Sequence, residues 1–182
     1  MNPDQSDLPT LFRALRFAAR AHVKHRRKGG DDIPYVNHPI DIATQLATIG
    51  GVTDIAVLAA ALLHDTVEDT TTEPEDIERK FGANIATLVA EVTDDPALTS
   101  AEQKVAQEHE AAGKSSRAKL IRIADKTCNV CDITDAPPPH WSDGRRMEYF
   151  AWAERVVGGM RGTHAALESA FDAAVARGRR VV

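Results

Sequence analysis

The sequence predicts an all-α fold, a compact multi-helix bundle, on three observations. Apolar residues recur at three- and four-residue spacing along most of the chain, the period of a helix with one buried face. Glycine and proline interrupt those runs at helix-length intervals, where a chain turns. Short β-branched runs exist, but none alternates over a useful strand length. The 182 residues suit one domain over 1–182, enough to bury roughly 70% of the extended-chain surface. Its core is expected from about residue 12 to 175, with the first few residues and the C-terminal tail loose.

The elements follow in order. Leu11, Leu15, Ala18 and Ala19 set the apolar side of a first helix, which Gly29 and Gly30 end and Asp31, Asp32 and Pro34 follow as loop. His38-Pro39 restarts a helix with proline in its first turn; Ile42, Leu46 and Ile49 form its stripe before Gly50-Gly51. A third helix starts near Thr53 or Asp54 and is apolar almost all round through Leu63, which places it mid-bundle. A polar run, His64 to Thr71, comes next. Thr72 and Glu75 have capping-box spacing for a short helix ending at Gly82. Ile85, Leu88, Val89 and Val92 make a fifth helix, stopped at Asp94-Asp95-Pro96. Ser100 and Gln103 repeat the box for a more polar sixth, closed by Gly113. The seventh, about Arg117 to Asp132, carries Leu120, Ile121, Ala124, Cys128 and Cys131 on one face, and Pro137 to Pro139 forbid its continuation. Two more follow, about Asp143 to Val157 and Thr163 to Val175, with Arg179-Arg180 in the loose end.

Composition narrows the functional classes. With 22 Lys plus Arg against 27 Asp plus Glu, the formal net charge is -5, so the overall field does not hold this chain to nucleic acid or a membrane. A local basic patch for a small anionic ligand remains open. The apolar stretch Ile55 to Leu63 is too short to span a bilayer, and Asp4 and Asp7 stand where a signal peptide carries positive charge. Cys128 and Cys131 lack the second pair of a zinc site and read as small apolar fillers. The expectation is a soluble cytoplasmic protein, with homo-oligomerisation left open.

Chemistry concentrates where the apolar helix ends. His64-Asp65 sets an imidazole beside a carboxylate, and both can face one cation; alone, the pair also fits a histidine at the helix dipole's negative end. Asp125 flanks the packed face of its helix, four residues after Ile121. A carboxylate there needs a metal, or a salt bridge such as Arg122 or Lys126, to offset its desolvation. His38 stands where a loop enters a helix, as a donor or as a capping histidine. Together the four supply two imidazoles and two carboxylates without a thiolate, a set that suits Mn2+ or Fe2+ before zinc. Coordination positions remain for water and a substrate oxygen.

Glu68-Asp69 follows the pair closely enough to hold the proton of an attacking water. Seven basic residues precede Gly29, and Lys114, Arg117, Lys119, Arg122 and Lys126 form a second group. Such groups clamp phosphate, although Arg13 and Arg16 read as a solvated face; Arg27 and Lys28 sit just before His38. Tyr149, Phe150 and Trp152 offer faces for a base, with Phe150 and Trp152 also fitting the core. No further aromatic-basic interleaving marks a nucleic-acid platform.

Several stretches carry a resemblance: Arg27-Lys28, Pro34 to Ile40 (PYVNHPI), Ala60 to Thr70 (AALLHDTVEDT), Phe81-Gly82, Val92 to Asp95 (VTDD), Ala124-Asp125-Lys126 with Asn129, Glu148-Tyr149-Phe150 with Trp152, and Gly162-Thr163. Across about residues 12 to 175 the chain resembles the HD-domain metallophosphohydrolases. Within them it is similar to the RelA/SpoT-type hydrolase domain and its stand-alone small alarmone hydrolases of the metazoan SpoT-homologue type. The resemblance implies a compact HD-domain bundle that hydrolyses guanosine tetra- and pentaphosphate (ppGpp and pppGpp) to GDP or GTP and pyrophosphate. It implies His38, His64, Asp65 and Asp125 as Mn2+ ligands and Glu68 and Asp69 as the pair that activates water. Arg27, Lys28, Lys126, Asn129 and Tyr149 match or adjoin nucleotide contacts. Some relatives remove the 2′-phosphate of NADPH, which with nucleotide phosphatase activity forms the alternative reading. The length leaves no room for a synthetase domain. Two departures, Thr127-Cys128-Asn129-Val130 for a usual Leu-Tyr-Asn-Leu and His164 for a usual Asn, bear on substrate preference rather than on the metal set.

Overall fold

The computed structural model describes residues 8–29 and 32–182; the expected loose N-terminus, Gly30 and Asp31 lie outside them. Among the described residues the chain is helical, with a single isolated antiparallel bridge between Arg26 and Pro34. The helices are α1 (Leu8–Ala21), α2 (Asn37–Thr48), α3 (Ile55–Leu63), α4 (Thr66–Asp69), α5 (Pro74–Phe81), α6 (Ala83–Val92), α7 (Ser100–Glu110), α8 (Ser116–Asp135), α9 (Asp143–Gly158) and α10 (Ala165–Val181).

The central element is α3. Its sequence IAVLAAALL buries every residue from Ala56 to Leu63, because α1, α2, α6 and α8 pack around it. Asp54 caps its start by accepting the Ala56 amide at 3.0 Å. α8 runs beside it and is covered in turn by α9 and α10. The site is set by these two buried helices, with α2 delivering a third segment.

Several boundaries differ from the sequence pattern, each for a local reason. α1 ends at Ala21 rather than at the glycines, and the stretches on either side of residues 30 and 31 pair through the Arg27 amide to Ile33 carbonyl bond (2.9 Å) and the Tyr35 amide to His25 carbonyl bond (3.0 Å). The capping boxes sit one residue off the expected positions: Glu73 with Asp76 opens α5, and Thr99 with Glu102 opens α7. Glutamate at the first of these is outside the Ser/Thr pattern that the box normally shows. The polar run after His64 holds the one-turn α4. Thr66 donates to the Leu63 carbonyl at 2.6 Å and Thr70 to the Thr66 carbonyl at 2.6 Å, so hydroxyls close what a longer helix would close. α7 contributes no buried residue.

α10 overturns the expected stop at Val175 by continuing through Val181. Arg177 pairs with Asp135 of α8 and Arg179 with Glu154 of α9 at 2.5 Å. Gly178 lets this last turn lie against the bundle, since a Cβ there would meet Phe150 Cζ at 2.8 Å and Thr134 Oγ1 at 2.8 Å. Phe150 is fully buried and cannot withdraw. Overpacking of this kind costs about 1–3 kcal/mol, so Gly178→Val is expected to lower stability by about 2 kcal/mol. A fall in the denaturation midpoint at unchanged m-value would show it; an unmoved midpoint would mean that α10 does not depend on this contact.

Candidate metal centre

The site begins at the C-terminal end of α3. His64 Nδ1 donates to the Ala61 carbonyl at 2.8 Å, which fixes the ring and aims Nε2 away from its own helix. Nε2 meets Asp65 Oδ2 at 2.9 Å. From the first turn of α2, His38 Nε2 lies 4.0 Å from the same carboxylate oxygen. One donor atom from each of His38, His64 and Asp65 falls within 4.8 Å of the others, a group able to hold a divalent ion. α8 brings Asp125 to His38 Nε2 at 3.2 Å. The structure therefore places Asp125 against this group through His38, from a helix more than fifty residues away in sequence.

The electrostatics have the character of a cation site. Burial works against charge on Asp125, but Lys126 and His38 hold its carboxyl well below the usual range. Burial likewise opposes charge on His64, yet Asp65 and then Asp125 raise its pKa to about 9. Two desolvated carboxylates thus share the positive charge of imidazolium and of Lys126, whose Nζ is 3.0 Å from Asp125 Oδ2. His38 Nδ1 is buried without a hydrogen-bond partner. The donor set fits a divalent ion of intermediate hardness, because it offers imidazole nitrogen and carboxylate oxygen with no sulfur.

Glu68 and Asp69 lie on α4 at the rim and are exposed. Partial desolvation of the carboxyl, followed by the neighbouring carboxylates Asp94 and Asp65, pushes Glu68 up to about 7. Glu68 Oε2 accepts the Asp94 amide at 3.2 Å. Burial and Asp65 raise Asp69 above the usual carboxylate range. Tyr35 donates to Asp65 and lies 5.8 Å ring to ring from His38. Tyr35 is not among the residues the sequence assigns a role, and its three-residue separation from His38 is the signal that points to it.

The basic residues divide into two clusters. Arg27 pairs with Asp132, donates to Asn129 Oδ1 at 3.3 Å, and stacks 5.4 Å over the Tyr35 ring. Asn129 donates in turn to Asp125 Oδ1 at 2.6 Å, tying this cluster to the donor set. Gly29 permits the approach, because a Cβ there would come 2.6 Å from the Ala136 carbonyl at the end of α8. The second cluster holds Lys126, 4.7 Å over Trp152, and Lys104, 5.1 Å over Trp152 and 5.7 Å over Tyr149. Arg145 lies 4.6 Å over Trp141. Partial burial, then repulsion from Arg145, Lys126 and Lys28, lowers the Lys104 ammonium. Gathered cations of one sign are relieved by a polyanion.

Lys104, Arg145 and Trp141 were absent from the sequence-based candidates. Trp141, Arg145 and Tyr149 are spaced i, i+4, i+8, a readable face, whereas Lys104 has no chemical neighbour in sequence. Phe150 and Trp152 are core residues. His164 caps α10, its Nδ1 accepting the Leu167 amide at 3.4 Å. Cys128 Sγ lies 3.3 Å from Gln45 Oε1 and packs on the core.

Comparisons with known proteins agree with this geometry. The HD domain family model matches residues 14–147. The chain is 47% identical over 92% of its length to guanosine-3′,5′-bis(diphosphate) 3′-pyrophosphohydrolase MESH1 of Xenopus tropicalis, spanning 93% of that protein. It is 48% identical over 91% of its length to MESH1 of Homo sapiens, again spanning 93%. A solved structure described as a metazoan ortholog of SpoT that hydrolyzes ppGpp and plays a role in starvation responses superposes with a TM-score of 0.91. The two share 44% identity over 97% of this chain and 98% of the other.

A metal must displace the proton that His64 carries below pH 9. Binding therefore strengthens as pH rises, by about tenfold per unit for one proton released. Mn2+ titrations at several values between about pH 6 and 8 are expected to show that slope. A flat response would remove His64 from the donor set.

Proposed function

This chain belongs to the HD domain family, and we propose that it is a Mn2+-dependent guanosine-3′,5′-bis(diphosphate) 3′-pyrophosphohydrolase that converts ppGpp and pppGpp to GDP or GTP and pyrophosphate. The observation that carries this reading is the position of the His-Asp group. Asn129 links it through Asp125 to Arg27, Lys126 links it to the lysines over Trp152, and the carboxylates Glu68 and Asp69 follow it on α4.

His38, His64, Asp65 and Asp125 hold the ion, which when bound supplies Lewis acidity that acidifies water and draws charge from a phosphoryl oxygen. Manganese is favoured over zinc by the absence of thiolate and the presence of two carboxylates. Glu68 orients the attacking water and takes its proton, a role suited to a carboxyl raised to about 7. Asp69 assists from the adjacent position. Water supplies the oxygen that joins the 3′-phosphorus, and the bond from that phosphorus to the ribose oxygen breaks.

Arg27 and Lys28 face the polyphosphate from one side. Lys126 is adjacent to Asp125 and reaches from the donor set toward Trp152, so it serves a phosphate close to the ion. Asn129 orients Asp125 and Arg27 together. Tyr149, between Trp141 and Trp152, presents its ring to the base. Opposite charge around the reacting phosphorus stabilises the transition state without reorganisation. No helix among the described residues is long and apolar enough to cross a membrane, and a cytoplasmic setting matches the nucleotide substrate.

Protein purified with Mn2+ is expected to release pyrophosphate and GDP from ppGpp; orthophosphate alone, or turnover restricted to NADPH, would overturn the assignment. Asp65→Ala is expected to lose bound metal and turnover together. Glu68→Gln should retain the metal while kcat falls by about 100-fold or more, and Arg27→Ala should act mainly by raising KM. An unchanged KM would take Arg27 out of the substrate site.

A further inference from the structure

Glu68 lies on a four-residue helix and is held from outside that helix by the Asp94 amide, at 3.2 Å. Asp94 belongs to the irregular stretch after α6, so regular helix bonding does not fix its position. Two side chains do. Arg122 Nη2 donates to Asp94 Oδ1 at 2.6 Å, and Gln107 Nε2 donates to Asp94 Oδ2 at 2.5 Å. The ion pair is well shielded, with side-chain exposures of 8% for Arg122 and 12% for Asp94. Asp94 also borders a cleft of about 610 Å³ lined by Val67, Val89 and Gln107. Its neighbours are held separately, Thr93 Oγ1 donating to the Val89 carbonyl at 2.8 Å and Gln103 Nε2 to the Asp95 carbonyl at 3.2 Å, while the Asp94 carboxylate itself is gripped by Arg122 and Gln107.

Arg122 stands on α8, three residues before Asp125 and one turn before Lys126. The helix that supplies a metal donor thus also sets the anchor of Glu68. We infer that Asp94, clamped by Arg122 and Gln107, is a positioning residue that holds Glu68 in register with the metal centre. This inference rests on the reading of Glu68 as the residue that handles the attacking water.

The test is a double-mutant cycle measured in single turnover with Mn2+ and ppGpp. Asp94→Ala is expected to lower the chemical rate by about tenfold or more while KM and Mn2+ affinity stay within about twofold. Asp94→Asn, whose amide oxygen still accepts from Arg122, is expected to recover most of the rate. In a Glu68→Gln background, Asp94→Ala should add no further loss. A full additional loss in that background, or an unimpaired Asp94→Ala enzyme, would overturn the inference while leaving the role of Glu68 intact. Undiminished activity of Glu68→Gln alone would instead refute the assignment of Glu68 and remove the basis of the clamp. If Asp94→Ala does not fold, Gln107→Leu, which removes one of the two restraints from an exposed helix, carries the same cycle.

Discussion

Burial of negative charge is the constraint on which the site depends. Asp125 is 4% exposed in the middle of a helix, and an isolated carboxylate so placed costs several kcal/mol. The fold meets that cost with His38, Lys126 and Asn129, and through His38 it draws in His64 and Asp65. The three segments come from the entry of α2, the exit of α3 and the middle of α8. None could form the group alone, and the packing of α2 and α8 on α3 brings them together. The core and the centre are therefore one construction: apolar burial of α3 sets its terminal histidine, and the side chains of α2 and α8 meet it there.

Charge separation on the two sides of this group follows the same logic. The chain carries a net charge of -5, yet Lys28, Lys104, Lys126 and Arg145 gather closely enough to depress the Lys104 ammonium. Around Glu68, burial and then the carboxylates Asp94 and Asp65 push its carboxyl up to about 7. The aromatic rings beneath the lysines give the cations a favourable apolar support.

Much of the architecture was legible because its signals were local. The all-round apolarity of Ile55 to Leu63 identified the central helix, and the glycine and proline breaks gave most of the remaining order. His64-Asp65 stood out for the same reason, as polar residues abutting the most apolar run. What escaped depends on contacts distant in sequence. The last turn of α10 persists through ion pairs to α8 and α9, which no pattern near Val175 encodes. Glu73 opens α5 in place of the expected Thr72, because the competing caps differ by one residue and local bonding decides between them. Lys104 reaches Tyr149 and Trp152 only once α7 lies beside α9. Burial of Asp125 followed from its helical face, but its approach to His38 required the fold.

The polar attachment of α7 has a dynamic consequence. This helix is moored by Trp152 to the Lys104 carbonyl, by Arg155 to Glu108, and by Gln107 to Asp94, with no apolar side chain sunk into the core. Because α7 buries none of its own side chains, its amides are expected to exchange with solvent deuterons well before those of α3, which are released only when the whole domain comes apart. The bundle thus has a rigid axis and one loosely sewn flank.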